Sequence, residues 1–239
     1  MRYLIRFSYD GTLFHGFQRQ KNVKNVQGLL EQTLSGYFGQ DILIKGSGRT
    51  DAGVHAKCQC AHFDTSKKVT WKDIKCINKI LNGEIVINNL KLVDNNFHAR
   101  HDVKKKTYVY KINVGKYKSN YEGYYYQIKY DLDIKKMREA SKVFVGVHDY
   151  RNFVSGYRDD YESVIYNIKI SKFGNILTFK FVGAGFYRYM VRHLVGALVD
   201  VGKGKVDINT IYGMVDNKEF TKKLCVVPAC GLYLTDIKY

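Results

Sequence analysis

"KGSGRTDAGVHAKCQCAHF", Lys45 to Phe63, decides how the rest of the chain is read. Its first nine residues hold three glycines, one arginine and one aspartate, and the run from Val54 then alternates like a strand. "DILIK" (41–45), just ahead, reads as another strand, so the order is strand, glycine loop, strand. Glycine takes backbone angles that other residues refuse and lets another molecule approach the main chain. Gly46, Gly48 and Gly53 therefore make this loop either a tight turn or a site, with Arg49 and Asp51 as its ionised pair. Taken alone, Asp51 suits both readings, since aspartate also caps turns through its own backbone.

Outward from the loop, strands and helices alternate. "RYLIRFSYDG" alternates and closes on Asp-Gly, which predicts a strand over 2–9. From Asn25, the apolar residues Val26, Leu29, Leu30, Leu34, Tyr37 and Phe38 recur at steps of three and four until Gly39, the pattern of an amphipathic helix with a glycine stop. Downstream, 71–81 reads as helix and "EIVINNLKLV" (84–93) as strand. The second half repeats the alternation, with strands over 105–114, 124–130, 163–170 and 176–182 and a helix over 133–145. "GFYRYMVRHLVGALVDVG" (185–202) places Phe186, Met190, Leu194, Ala197, Leu198 and Val201 on one helical face. A short helix near 207–216 and a last strand, "GLYLTDIKY", follow.

Each half is thus a sheet with two helices. The expectation is an α+β protein of two ferredoxin-like or RRM-like halves, with antiparallel sheets, helices on one side and an active-site cleft between the halves. The polar stretch "ARHDVKKK" marks the join, giving lobes 1–103, which carries the Asp51 loop, and 104–239. No sequence repeat relates the halves.

The 239 residues include 39 Lys and Arg against 22 Asp and Glu, a net charge of +17 that favours a polyanionic partner. Codon bias accounts for it equally well on composition alone, since Tyr appears 20 times and Pro and Trp once each. No apolar run reaches the roughly 18 residues of a membrane span, and the opening lacks a signal-peptide cleavage site. A cytosolic protein is expected, with no membrane partner. Its five cysteines, odd in number and irregularly spaced, read as reduced thiols. Cys58-x-Cys60 with His55 and His62 lacks the second ligand pair of a zinc site, so no metal is expected. No phosphate-binding G-x4-GK[ST] loop occurs, and the Asp51 loop has no second carboxylate for two-metal or paired acid/base chemistry.

The motifs become specific when taken together. "GRTDAGVHA" (48–56), "FHAR" (97–100), "TYVY" (107–110), "FYRYMVRHLVGAL" (186–198) and "PACGLYL" (228–234) stand in this order, after "YDGTLFHGFQRQ" (9–20) and "VQGLLE" (26–31). Across nearly its whole length the chain resembles the tRNA pseudouridine synthase A family. The resemblance implies isomerisation of uridine to pseudouridine at positions 38, 39 and 40 in the anticodon stem-loop of tRNA. It also implies a flipped target base, no cofactor or metal, and a homodimer whose tRNA crosses both subunits. Asp51 matches the family's catalytic aspartate, Arg192 the position expected to pair with it, and Tyr108 the active-site tyrosine whose ring stacks on the uracil. Arg49 would be a reader or wedge beside the loop, and Phe97, His98 and Arg100 match a segment that contacts RNA.

The chain departs from the family pattern at Leu81-Asn82, where "LP" is frequent, and at Ser163 to Ile165, where an arginine is usual. The stretch "YRDDYES" (157–163) is acidic for a loop facing RNA; these departures bear on substrate range. Two other readings compete. One is a noncatalytic RNA-binding protein of RRM-like halves, which would carry an RNP1-like sequence, and none is present. The other is a metal-dependent nuclease built on Asp51 and His55, which a chelator would silence.

Overall fold

The computed structural model describes residues 1–216 and 225–239. The chain is α+β and divides into two compact units, residues 1–104 with 233–239, and residues 105–232. The sequence reading kept 104–239 together, whereas residues 233–239 count with the first unit because they pair with one of its strands.

The first unit runs β1 (Arg2–Tyr9), α1 (Val26–Phe38), β2 (Ile44–Gly46), β3 (His55–Asp64), α2 (Trp71–Ile80) and β4 (Ile85–Val93). β1 lies antiparallel between β3 and β4, and β2 joins β3 antiparallel with Ile44 opposite Phe63. α1 starts where the Asn25 side chain accepts the Gly28 N–H, and it stops where Gly39 turns left-handed at φ 63°. Its buried Val26, Leu30, Leu34 and Phe38 are spaced four apart and face the core. α2 opens on a capping box between Thr70 and Asp73 and buries Ile74 and Ile77. One side chain fastens this helix to the sheet: Asn78 accepts from the Ile87 N–H at 2.8 Å and donates to the Ile87 carbonyl at 3.0 Å. Ile5, Phe7, Phe63, Ile85 and Ile87 fill the sheet side of the core. Each such side chain contributes about 1.5–3 kcal/mol by leaving water.

The second unit runs β5 (Lys105–Asn113), β6 (Tyr126–Gln127), α3 (Ile134–Ser141), β7 (Gly146–Asp149), β8 (Glu162–Phe173), β9 (Ile176–Gly183), α4 (Met190–Gly202) and α5 (Ile208–Met214). Its sheet has the order β5-β9-β8-β7, antiparallel throughout, and β6 pairs parallel with the end of β5. Tyr110, Ile165, Phe179 and Phe181 from the sheet and Met190, Leu194 and Leu198 from α4 are fully buried. Gly196 is the point of closest approach on α4, where a Cβ would overlap the Cys225 carbonyl oxygen.

β10 (Leu232–Lys238) then pairs parallel with β3, Tyr233 beside His55 and Leu234 beside Ala56. β3 therefore carries β2 against residues 61–63 and β10 against residues 55–56, with the glycine loop rising between them. No helix among the described residues is long and apolar enough to cross a membrane.

Candidate active site

The loop 47–54 leaves β2 and returns into β3, and buried side chains beneath it fix its course. Gln59, fully buried in β3, accepts the Ser47 hydroxyl at 2.6 Å and donates to the Gly48 carbonyl at 3.2 Å. The Tyr9 hydroxyl shares a buried hydrogen bond of 2.7 Å with Thr50 Oγ1, and burial pushes the Tyr9 phenol up to about 12, so it stays protonated. A strap from the segment after β1 crosses the loop from outside. There the Phe17 N–H donates to the Thr50 carbonyl at 3.1 Å, one residue ahead of Asp51. Two glycines permit this approach: Gly16 turns at φ +92° beside the Thr50 carbonyl, and a Cβ on Gly46 would overlap the Phe17 ring. The Val54 N–H closes the turn onto the Asp51 carbonyl at 3.2 Å.

The result is a loop pinned on both sides of one carboxylate. Asp51 is partly exposed on it and Arg49 is exposed. His55, next along the chain, is not offered to a ligand. Its ring is buried and stacked on Tyr233 at 4.6 Å, and its Nδ1 accepts the Gly11 N–H at 3.1 Å. That arrangement removes the second residue of the nuclease reading. Among the described residues no group of three His, Cys, Asp or Glu is placed to hold a metal ion.

Phe97, His98 and Arg100 stand elsewhere in the first unit. Phe97 and His98 pack edge-on against His62 near the far end of β3, and His62 Nδ1 accepts the Ala99 N–H at 3.1 Å. The segment is held further by Arg2, which donates to the Phe97 carbonyl at 2.9 Å, and by the Tyr239 hydroxyl on the Ala99 carbonyl at 2.9 Å. His62 is seven residues along β3 from His55, roughly 23 Å at the rise of a strand, so this segment is not gathered with Asp51. Burial, then the Arg2 charge, pushes His62 down to about 4, and burial also lowers His98. Arg100 is exposed beside them.

Tyr108 and Arg192 both belong to the second unit. Tyr108 stands on β5 opposite Phe181 and is buried, with the Phe186 ring meeting it edge-on at 5.2 Å. Arg192 lies in the first turn of α4. Its Nε donates to the Val227 carbonyl at 2.8 Å and its guanidinium lies 4.7 Å over the Tyr189 ring, which fixes its direction. The expected helix over 185–202 begins only at Met190, because Tyr189 turns left-handed at φ 61°. Phe186 is thereby freed from the helical face and reaches Tyr108 instead. The same stretch, quoted in the sequence reading only as a motif, carries an aromatic and cationic run whose Tyr187, Arg188 and Tyr189 were given no role there, with Arg188 over Tyr189 at 4.9 Å and Arg158 over Tyr187 at 4.3 Å. Alternating Tyr and Arg in "FYRYMVR" was its visible signal. Gln59 and the Phe17 strap were also missed; within an alternating strand, a buried glutamine looks like any solvent-facing one.

Comparison with known proteins bears on this arrangement. A family model described as tRNA pseudouridine synthase matches residues 5–113 and 140–239. A tRNA pseudouridine synthase A from Lactobacillus helveticus is 37% identical over 246 residues, spanning 100% of this chain and 94% of its own. Those from Mycoplasma genitalium and a Geobacillus species are 37% and 38% identical, spanning 98% and 96% of their own lengths. Among solved structures, a chain of a Cbf5-Nop10-Gar1 complex aligns over 72% of this chain and 40% of its own at 12% identity, with a TM-score of 0.36.

Proposed function

The chain belongs to the tRNA pseudouridine synthase family of isomerases, and from that premise we propose that it modifies uridines 38, 39 and 40 of the tRNA anticodon stem-loop with Asp51 as its catalytic carboxylate. The observation that carries the assignment is the pinned loop: Gln59, Tyr9 and the Phe17 strap hold residues 47–50 just ahead of a partly exposed aspartate, and the Val54 N–H closes the turn behind it. Such preorganisation is what a reaction needs when one carboxylate must meet one sugar or base atom.

The isomerisation breaks the bond from ribose C1′ to uracil N1, turns the base and joins C1′ to C5. C5 loses its hydrogen as a proton and N1 gains one, so no electrons are exchanged with another molecule. The carboxylate attacks C1′, adds to the base or assists elimination at the sugar, and in each case it acts unprotonated. Burial against RNA would favour its neutral form, so a cation must oppose that, and we assign this part to Arg192. Tyr108 is the stacking surface for a uracil drawn out of the helix, an unstacking that costs a few kcal/mol. Arg49 occupies or reads the vacated space. Phe97, His98 and Arg100 meet the RNA outside the Asp51 loop, in keeping with their distance along β3. A homodimer that shares one tRNA is part of the same proposal, and light scattering of the free protein checks it.

The deciding experiment follows tritium release from tRNA labelled at uridine C5. Wild type releases it, with and without chelator. Asp51→Asn keeps its melting temperature and tRNA affinity and releases none. Substantial turnover by a well-folded Asp51→Asn protein ends the assignment.

A further inference from the structure

The uridine chemistry gives no part to Arg19, Gln27 and Glu31, which belong to the motifs "YDGTLFHGFQRQ" and "VQGLLE". Glu31 stands on α1 with only 5% of its surface exposed, a rare place for a carboxylate that lacks a counter-charge. Its Oε1 accepts the Ile44 N–H, at the first residue of β2, and the Gln27 side-chain N–H, both at 3.0 Å. Oε2 is buried, accepts no hydrogen bond among the described residues, and meets Arg19 Nη1 at 3.1 Å as an ion pair. Arg19 leaves 60% of its side chain in solvent, so a surface arginine reaches in to a buried carboxylate.

Hydrogen bonds lead from this pair to the Asp51 loop. The Gln27 side chain accepts the Arg19 N–H at 3.1 Å, and its backbone N–H donates to the Phe17 carbonyl at 2.9 Å. Phe17 in turn holds the Thr50 carbonyl and lays its ring against Gly46. One planar carboxylate therefore spaces the strap from β2, the strand out of which the loop rises. A buried ion pair contributes little net stability over apolar groups of the same volume, so stability alone does not account for placing one here.

We propose that Glu31 and Arg19 are positioning residues for Asp51. They hold the strap at the distance from β2 at which Phe17 steadies Thr50, one residue ahead of the carboxylate. Neither touches the uridine; the pair acts through the loop, and this role rests on Asp51 being the catalytic carboxylate. Without the pair, the strap keeps its backbone bonds to α1 and loses the carboxylate that ties it to Ile44. The loop then samples positions in which Asp51 misses its reacting atom.

The test measures tritium release, tRNA affinity by filter binding and melting temperature for Glu31→Gln, Arg19→Met, the double variant and Arg19→Lys, with turnover read well below melting. Glu31→Gln keeps an oxygen for the Ile44 N–H but turns an amide toward Arg19, and kcat should fall about tenfold with KM within about twofold. Arg19→Met should lose kcat likewise and also melt lower, because it leaves a buried carboxylate unpaired. The double variant should regain that melting temperature but not the turnover, its kcat staying within about threefold of either single variant. Arg19→Lys, which keeps the charge, should return kcat to within about threefold of wild type. Variants that melt lower yet keep kcat make the pair merely structural and overturn the proposal. A loss confined to KM and tRNA affinity in the Arg19 variants overturns it too, since Arg19 would then be a contact to phosphate. Asp51→Asn is run alongside: if it is inactive while Glu31→Gln and Arg19→Met turn over normally, the positioning role alone fails, whereas turnover by Asp51→Asn removes the premise and the proposal with it.

Discussion

Gln59→Leu tests whether the floor of the Asp51 loop matters. The change conserves volume closely and leaves the strand pattern intact, but it removes both bonds by which Gln59 reaches the loop. The Ser47 hydroxyl, itself fully buried, loses its acceptor, and the Gly48 carbonyl loses its donor. Each of these lost hydrogen bonds costs about 1–3 kcal/mol, and the leucine returns about 1–2 kcal/mol of apolar burial. The net loss is then about 3 kcal/mol, which in a chain of this size lowers the melting temperature by about 6–12 °C. Circular dichroism measures the melt, and tritium release under saturating tRNA measures the loop. Because Gln59 is fully buried beneath the loop and cannot touch a substrate, kcat should fall at least tenfold while KM stays within about twofold, the signature of misplacement. A Gln59→Leu protein that melts within 1–2 °C of wild type and keeps its kcat would refute the account of the loop as pinned from below.

Other outcomes follow from the geometry. Gly196→Ala forces a Cβ into the Cys225 carbonyl and should cost about 1–3 kcal/mol by overpacking, with a kcat defect if displacement of Val227 also frees Arg192; melting and turnover measured together check this. Tyr108→Phe should bind tRNA within about twofold of wild type, whereas Tyr108→Ala loses roughly 1–3 kcal/mol of stacking, read by filter binding. His62 is held well below the ordinary histidine value, so the unfolded chain takes up its proton first as pH falls; the melting temperature should therefore decline from about pH 6.5 towards 4, less steeply in His62→Gln. If the excess of basic residues faces RNA, tRNA affinity should drop by orders of magnitude between 50 and 200 mM salt, and a flat response would assign the charge to composition.

Where alternation or helical periodicity ran without interruption, the sequence was a reliable guide: β1, α1, β3, α2, β4, β5, β8 and β9 all begin and end close to their expected limits. It misled where a local backbone bond outweighed the pattern. "YYYQIKY" alternates like a strand, yet the Tyr124 and Tyr125 N–H groups both turn back onto the Tyr121 carbonyl, and only Tyr126 and Gln127 pair with β5. "DILIK" becomes strand only at Ile44, since the Ile42 N–H is taken by the Ser35 hydroxyl of α1. β7, only four residues with a histidine and an aspartate among them, offered no pattern to read. At the site, the loop and its charged residues were legible because motif spacing is local. The Gln59 floor, the Phe17 strap and the partner of β10 depend on contacts between residues 11 or 12, 33 and 178 positions apart, which no short window contains.

The parallel pairing of β10 with β3 also carries a consequence for the order in which the molecule can be made. Residues of the first unit leave the ribosome before those of the second, but the strand that covers β3 at His55 and Ala56 is synthesised after residues 105–232. At about 5–20 residues per second, that edge waits roughly 6–26 s for its partner during translation. An open strand edge invites pairing with other chains. Slow elongation across residues 105–232 lengthens that exposure, and fast initiation, which crowds nascent chains on one message, raises the chance that two open edges meet.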